Sequence, residues 1–186
     1  MNTRNLVFVA LFSAIMAVLG FIPPIALSFT PVPITLQSLG VMLSGGLLGS
    51  RLGALSQLVF LLVVAAGAPL LAGGRGGFSV FVGPSAGYLM GYVIGAFVVG
   101  YFTERLRNVS FLKSFLINIF GGIFVVYFFG IIVQAFVMDI SVVKAAKLSV
   151  VFLPGDILKA VFAAILVTRL QRSLKRTIYS TNYETR

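Results

Sequence analysis

The stretch VFLPGDILKAVFAAIL, Val151 to Leu166, sets an aspartate and a lysine, Asp156 and Lys159, three residues apart in an otherwise apolar run. Residues three apart on a helix share a face. A charged side chain in mid-bilayer costs about 2.5 to 3.5 kcal/mol on insertion scales, and less near an end, so such residues mark functional sites by default. A carboxylate accepts hydrogen bonds from N–H donors, and an ammonium group holds an anion. Together they suit a small ligand carrying both an amide-like donor and an acid. The plainer reading is a mutual ion pair, but on a helix surface that contributes only about 0.2 to 0.5 kcal/mol, too little to offset two charges in an apolar segment. Arg75, Gln37, Thr35, Tyr88 and Gln134 are expected at similar depth, whereas Asn118 and Tyr127 fall deeper in their span, where packing is the expected role.

Other chemistries find less support. GPSAG, Gly83 to Gly87, matches the G-x-S-x-G nucleophile pattern, but the chain has no histidine to activate Ser85. A Ser-Lys arrangement with Lys159 is the one nucleophilic alternative. Cysteine is also absent, which removes thiol chemistry, and no metal site is expected. No G-x-x-x-x-G-K-[ST] phosphate loop occurs, so any ATP used in transport must be bound by another polypeptide. The net charge of +10 and the segment GGRGGF raise the question of nucleic acid, yet one arginine between apolar spans is no basic groove. No catalytic residue is assigned.

The elements that must position these side chains are membrane helices. Of 186 residues, 59% are hydrophobic and 10% charged, against about 25% charged in ordinary soluble domains. Each crossing needs about 20 apolar residues, so the whole chain, 1–186, reads as one all-α integral membrane domain, a six-helix bundle. Spans are expected near Asn5 to Ile22, Leu36 to Ser50, Leu52 to Ala68, Pro84 to Thr103, Leu112 to Val137 and Val150 to Gln171. The second and third, parted only by Arg51, form either a tight hairpin or one broken helix. The first apolar run has only Arg4 before it and no small-x-small cleavage site after it, and reads as a retained helix.

With both termini in the cytoplasm, Arg4, Arg51, Arg105, Arg107, Lys113, Arg169, Arg172, Lys175, Arg176 and Arg186 fall inside, leaving Arg75, Lys144, Lys147 and Lys159 toward the outer side. The positive-inside rule favours that orientation. Two outer loops then stand out, Phe21 to Thr35 with four prolines and Gly67 to Pro84 with six glycines. Irregular backbone near membrane depth persists only where protein or a cavity covers it. These loops read as lids or walls of an outward-facing pocket, or else as tight connections. Small residues recur every four positions in Gly45, Gly49, Gly53 and in Gly87, Gly91, Gly95, spacing that lets helix backbones approach closely; packing within the bundle is the expected role. Ala10 and Ala14 present a similar face, serving either packing or a partner.

PVPITLQSLGVMLSGGLLGSRLG, GAPLLAGGRGGFSVFVGPSAGYLMGY and FLPGDILKA, in this order and spacing, cover most of the chain from Pro31 to Ala160. By these motifs the chain resembles the BioY family, biotin-binding S subunits of energy-coupling-factor (ECF) vitamin transporters. The resemblance implies a six-helix bundle in the cell membrane with a biotin pocket under the first and third loops. It implies a transmembrane T subunit and two cytoplasmic ATPases as partners, lipid around the chain, no nucleic acid, and no cofactor, biotin being cargo and ATP the partners' ligand. Asp156 and Lys159 fall on the family's PGD and following lysine, and are the implied ligand contacts. Gln37 and Tyr88 lie in matching motifs as wall or hydrogen-bonding residues. Arg75 is added on its charge alone, and Ala10 and Ala14 look like the small-residue motif that meets the T subunit.

Biotin carries ureido N–H donors, an apolar thioether ring and a carboxylate, which fits this set. Asp156 is expected to accept from the ureido ring, with Lys159 and Arg75 on the acid and Phe78, Phe81 and Tyr88 as apolar walls. Alternatively Lys159 is tied to Asp156 and Arg75 alone meets the acid. An autonomous carrier of biotin or another small acid, working without ATPases, is the alternative to an ECF subunit.

Overall fold

The computed structural model describes residues 2–106 and 108–178, with side chains described through residue 171. Arg107, Arg172, Lys175, Arg176 and Arg186, counted above toward the cytoplasmic side, lie outside the described residues or side chains. The chain folds as an all-α bundle. Four stretches are long and apolar enough to cross a membrane by themselves: Thr3–Phe21, Ala86–Glu104, Phe111–Val137 and Val142–Gln171. We label the first α1 and the second α4. Between them stand two shorter apolar helices, α2 (Gln37–Leu48) and α3 (Ser50–Ala65).

α2 and α3 form the tight hairpin. The turn is Gly49 alone, at φ 86° and ψ −176°, a conformation open to glycine because it has no Cβ. A side chain there would also run into Glu104 Oε1. That carboxylate, from the end of α4, accepts from the Ser50 amide at 2.9 Å and the Ser50 hydroxyl at 2.8 Å. It thereby satisfies an otherwise unpaired donor at the start of α3 and places negative charge at the positive end of the helix.

α4 is the central post. An added Cβ on Gly91 would stand 2.9 Å from Val126 Cα, and one on Gly95 would stand 2.8 Å from the Gly121 carbonyl oxygen. On the α2–α3 side, a Cβ on Gly53 would stand 2.9 Å from Gly45 Cα. The glycine rows thus let backbones touch inside the bundle, where dispersion and close packing replace the hydrophobic drive that lipid does not supply.

The fifth span is α5 (Phe111–Ile117), a π-helical segment (Asn118–Val125) and α6 (Val126–Val137), continuous in sequence. The last span begins earlier than its expected start at Val150. A short helix, α7 (Val142–Ser149), is capped by the Ser141 hydroxyl, which accepts from the Lys144 amide at 3.3 Å. It buries Ala145 and Ser149 and exposes Lys144 and Lys147. A 3-10 turn (Val150–Phe152) leads into α8 (Leu153–Ile178), with Pro154 in its first turn, where a missing N–H costs nothing.

The first loop contains a two-stranded antiparallel hairpin, β1 (Ile25–Leu27) and β2 (Thr30–Ile34), in register Ile25 with Ile34 and Leu27 with Thr30. Its prolines exclude helix, and Pro31 and Pro33 fit a hairpin whose outer edges need no donors. In the third loop, Leu71 and Arg75 exchange backbone hydrogen bonds of 3.0 and 3.2 Å. Buried Met16, Phe60, Leu71, Tyr88, Val126 and Phe152 belong to one core cluster that brings both loops onto the helices.

Candidate ligand-binding site

A cavity opens at the end of the bundle that carries the first and third loops, between β2, the start of α2, the third loop, α4, the start of α6 and the start of α8.

Asp156 and Lys159 stand on its floor, 6% and 7% exposed. They form an ion pair, with Lys159 Nζ 2.7 Å from Asp156 Oδ1, so the plainer reading holds for their geometry and the pair lines the cavity as well. Lys159 also donates to Ser38 Oγ at 3.1 Å and to the Thr35 carbonyl. Its three N–H donors are thus committed. Ser38 in turn donates to Asp156 Oδ1 at 2.8 Å, and Tyr127 donates to Oδ2 at 2.5 Å. A carboxylate oxygen accepts more than one hydrogen bond, so Oδ2 keeps capacity toward the cavity. Breaking such a buried pair on one side strands a charge, which costs about 3 to 5 kcal/mol. Lys159, being fully committed and paired, is also no base for Ser85.

The second cation of the cavity is Arg75, at the third-loop edge. Its Nε donates to the Ala72 carbonyl at 3.3 Å and Nη1 to the Ser85 hydroxyl at 3.4 Å. Among the described residues no acidic side chain pairs with Arg75. The guanidinium has five N–H donors, and most remain available. Arg75 also borders a second cleft, between the first-loop hairpin and the third loop, lined by Pro24, Thr30, Pro31 and Gly73 among others. It therefore stands between the cavity and that cleft.

Gln37 and Tyr88 line the cavity with their polar groups directed elsewhere. Gln37 Nε2 donates to the Met16 and Leu70 carbonyls at 3.3 and 3.1 Å, while Oε1 accepts from the Ala72 amide at 3.4 Å. The Tyr88 hydroxyl donates to Gln134 Oε1 at 3.0 Å and lies 2.8 Å from Ser149 Oγ. Its ring meets Tyr127 and Phe152 edge-on, at centroid separations of 6.1 and 6.5 Å, and supplies apolar wall. Asn118 packs as expected, its amide donating to the Ala160 carbonyl at 3.5 Å.

Two expectations are corrected. Tyr127 belongs to the site, not to the packing beneath it. Phe78 and Phe81 do not form its wall: Phe78 is 73% exposed, and both line an apolar groove on the outside of α3 and α4. Ser38, which joins the two charges, was missed; its one signal is position, one residue after Gln37. Ala10 and Ala14 lie exposed on α1, whose buried face is Val9, Phe12, Met16 and Gly20.

A model of the BioY family matches residues 1–176. The chain is 52% identical over 170 residues to the probable biotin transporter BioY of Bacillus subtilis (strain 168), covering 91% of each chain. It is 52% identical over 172 residues to the biotin transporter BioY of Rhizobium etli, covering 89% of this chain and 92% of the relative. It also matches the crystal structure of the S-component for biotin from an ECF-type ABC transporter with a TM-score of 0.88 at 35% identity, over 92% of this chain and 95% of that one.

Proposed function

The chain belongs to the BioY family, and from that premise we propose that it is the biotin-binding S subunit of an ECF-type importer in the cell membrane. In this role it captures biotin at the outer face and has no catalytic activity of its own. A T subunit and two cytoplasmic ATPases supply the drive. Ala10 and Ala14, exposed on α1, offer the T subunit a smooth surface for close helix approach.

One observation supports the ligand assignment above the others. The cavity holds an acceptor with spare capacity, Asp156 Oδ2, and a cation with no acidic partner among the described residues, Arg75, with aromatic wall between them. That is the complement of a ureido ring, a thioether ring and a carboxylate. Asp156 accepts from the ureido N–H, Arg75 meets the acid, and Lys159 holds Asp156 in place. Tyr88 and Gln37 complete the walls. Of the two placements open from sequence, this is the one in which Lys159 is tied to Asp156.

Titration of the purified protein with biotin tests the assignment, and absence of saturable binding overturns it. Uptake measured with and without the T subunit and the ATPases tests the assembly. Full uptake by the chain alone would establish the autonomous carrier instead.

A further inference from the structure

Arg75 hangs from a set of polar contacts that packing alone does not require. Ser85 occupies the N-cap position of α4, where a serine hydroxyl ordinarily accepts from an amide two or three residues on. It makes no such bond. The residue is 8% exposed, and its hydroxyl oxygen accepts from Arg75 Nη1 instead. The other support comes through the backbone. Arg75 is bridged to Leu71 by reciprocal amide–carbonyl bonds, and its Nε lies on the Ala72 carbonyl. Residues 70–72 are in turn held by Gln37, which donates to Leu70 and accepts from Ala72, with its remaining N–H on Met16 of α1. Gln37 is 2% exposed, and a buried amide is tolerated when its polar atoms are paired. Two of its three bonds go to the segment that carries Arg75.

We propose that Ser85 and Gln37 are positioning residues for the Arg75 guanidinium, and that through it they set the preference of the site for a carboxylate over an uncharged head of the same shape. This rests on the placement of the biotin acid at Arg75. A long side chain must be ordered when it grips a ligand, and a site that orders it beforehand removes that cost from binding. The gain reaches only a ligand that Arg75 touches strongly. A general structural role would weaken all ligands together.

The test compares biotin with biotin carboxamide, which lacks the charge, on the purified protein. The wild type is expected to prefer biotin by about tenfold or more, as for a hydrogen bond to a charged group. Ser85→Ala should reduce that preference by about two- to tenfold, the cost of ordering one side chain, while carboxamide affinity falls far less. Ser85→Thr, which keeps the hydroxyl, should restore it, and Gln37→Met should reduce it at least as much as Ser85→Ala. The Ser85 pair decides the matter even where Gln37→Met does not fold. Equal weakening of both ligands in Ser85→Ala, or an unchanged preference, overturns the positioning role. Arg75→Gln separates the two levels. If it leaves the preference intact, the placement of the acid at Arg75 is wrong. If it abolishes the preference while Ser85→Ala and Gln37→Met preserve it, that placement stands and the positioning role falls.

Discussion

Replacing Asp156 by asparagine keeps the shape of the side chain and reverses the chemistry of one edge. With its oxygen in the place of Oδ1, the amide still accepts from Lys159 and Ser38, the contacts now at 2.7 and 2.8 Å. The NH2 group then occupies the place of Oδ2. There the Tyr127 hydroxyl must turn from donor to acceptor, and a ureido N–H meets a donor. The ligand loses a charge-assisted hydrogen bond, about 1.5 to 3 kcal/mol, or about 10- to 150-fold in Kd. Stability falls separately, because Lys159 loses its counter-charge at 7% exposure. Since the amide oxygen still accepts, we expect the low end of the range for a broken buried pair, about 3 kcal/mol. Adding Lys159→Met removes the stranded charge, so the double variant should regain stability without regaining affinity. Calorimetric titration with biotin and thermal unfolding in the same detergent read the two quantities. A Kd for Asp156→Asn within about twofold of wild type would refute the reasoning, since even the weakest charge-assisted bond corresponds to about tenfold.

Three other expectations follow from the bundle. Ala14→Trp should retain biotin binding in isolation while losing co-purification with the T subunit and ATP-driven uptake; an equally bulky change at exposed, already large Val18 is the control, and normal transport by Ala14→Trp would sink the interface. Gly91→Val should lower thermal stability by at least about 1 to 3 kcal/mol, because the added carbon meets Val126 backbone, which cannot swing aside as a side chain would. Reporters in the α4–α5 connection should score as cytoplasmic and one beside Asp139 as external, and a cytoplasmic score at Asp139 would invert the orientation.

What was legible in the sequence is what one residue type at one depth decides. Two charges in an apolar run cost too much to be idle, so Asp156 and Lys159 could be read directly, and prolines and glycines marked both loops. Tyr127 could not be read that way. It follows a π-helical segment of eight residues, whose wider turns change the phase of the helix, so that a face counted at 3.6 residues per turn arrives elsewhere. Phe78 and Phe81 differ for a related reason: the 3-10 turn Phe78–Phe81 turns Phe78 outward and leaves Phe81 half-buried beside α3 and α4, and glycine-rich spacing carries no phase information. Gln37 lines the cavity, but nothing in its neighbours shows that its amide turns to backbone 33 residues ahead at Leu70. The sequence leaves the α2–α3 turn open between hairpin and broken helix, because the group that caps α3, Glu104, is distant in sequence.

The hairpin has a consequence for the surrounding lipid. α3 has 16 residues, about 24 Å at 1.5 Å per residue, against a hydrocarbon core of about 30 Å. Leu58, Leu62 and Val63 are nevertheless exposed along it. On the opposite count, Phe111–Val137 has 27 residues. The protein therefore presents hydrophobic belts of unequal height on different flanks, and a bilayer of one thickness cannot match both. Acyl chains must shorten or splay beside α3, at a cost of fractions of a kcal/mol for each ångström of mismatch. Membrane thickness thus becomes a variable in the protein's stability, and the acyl-chain length of a reconstituting lipid is as much a part of its environment as pH or salt.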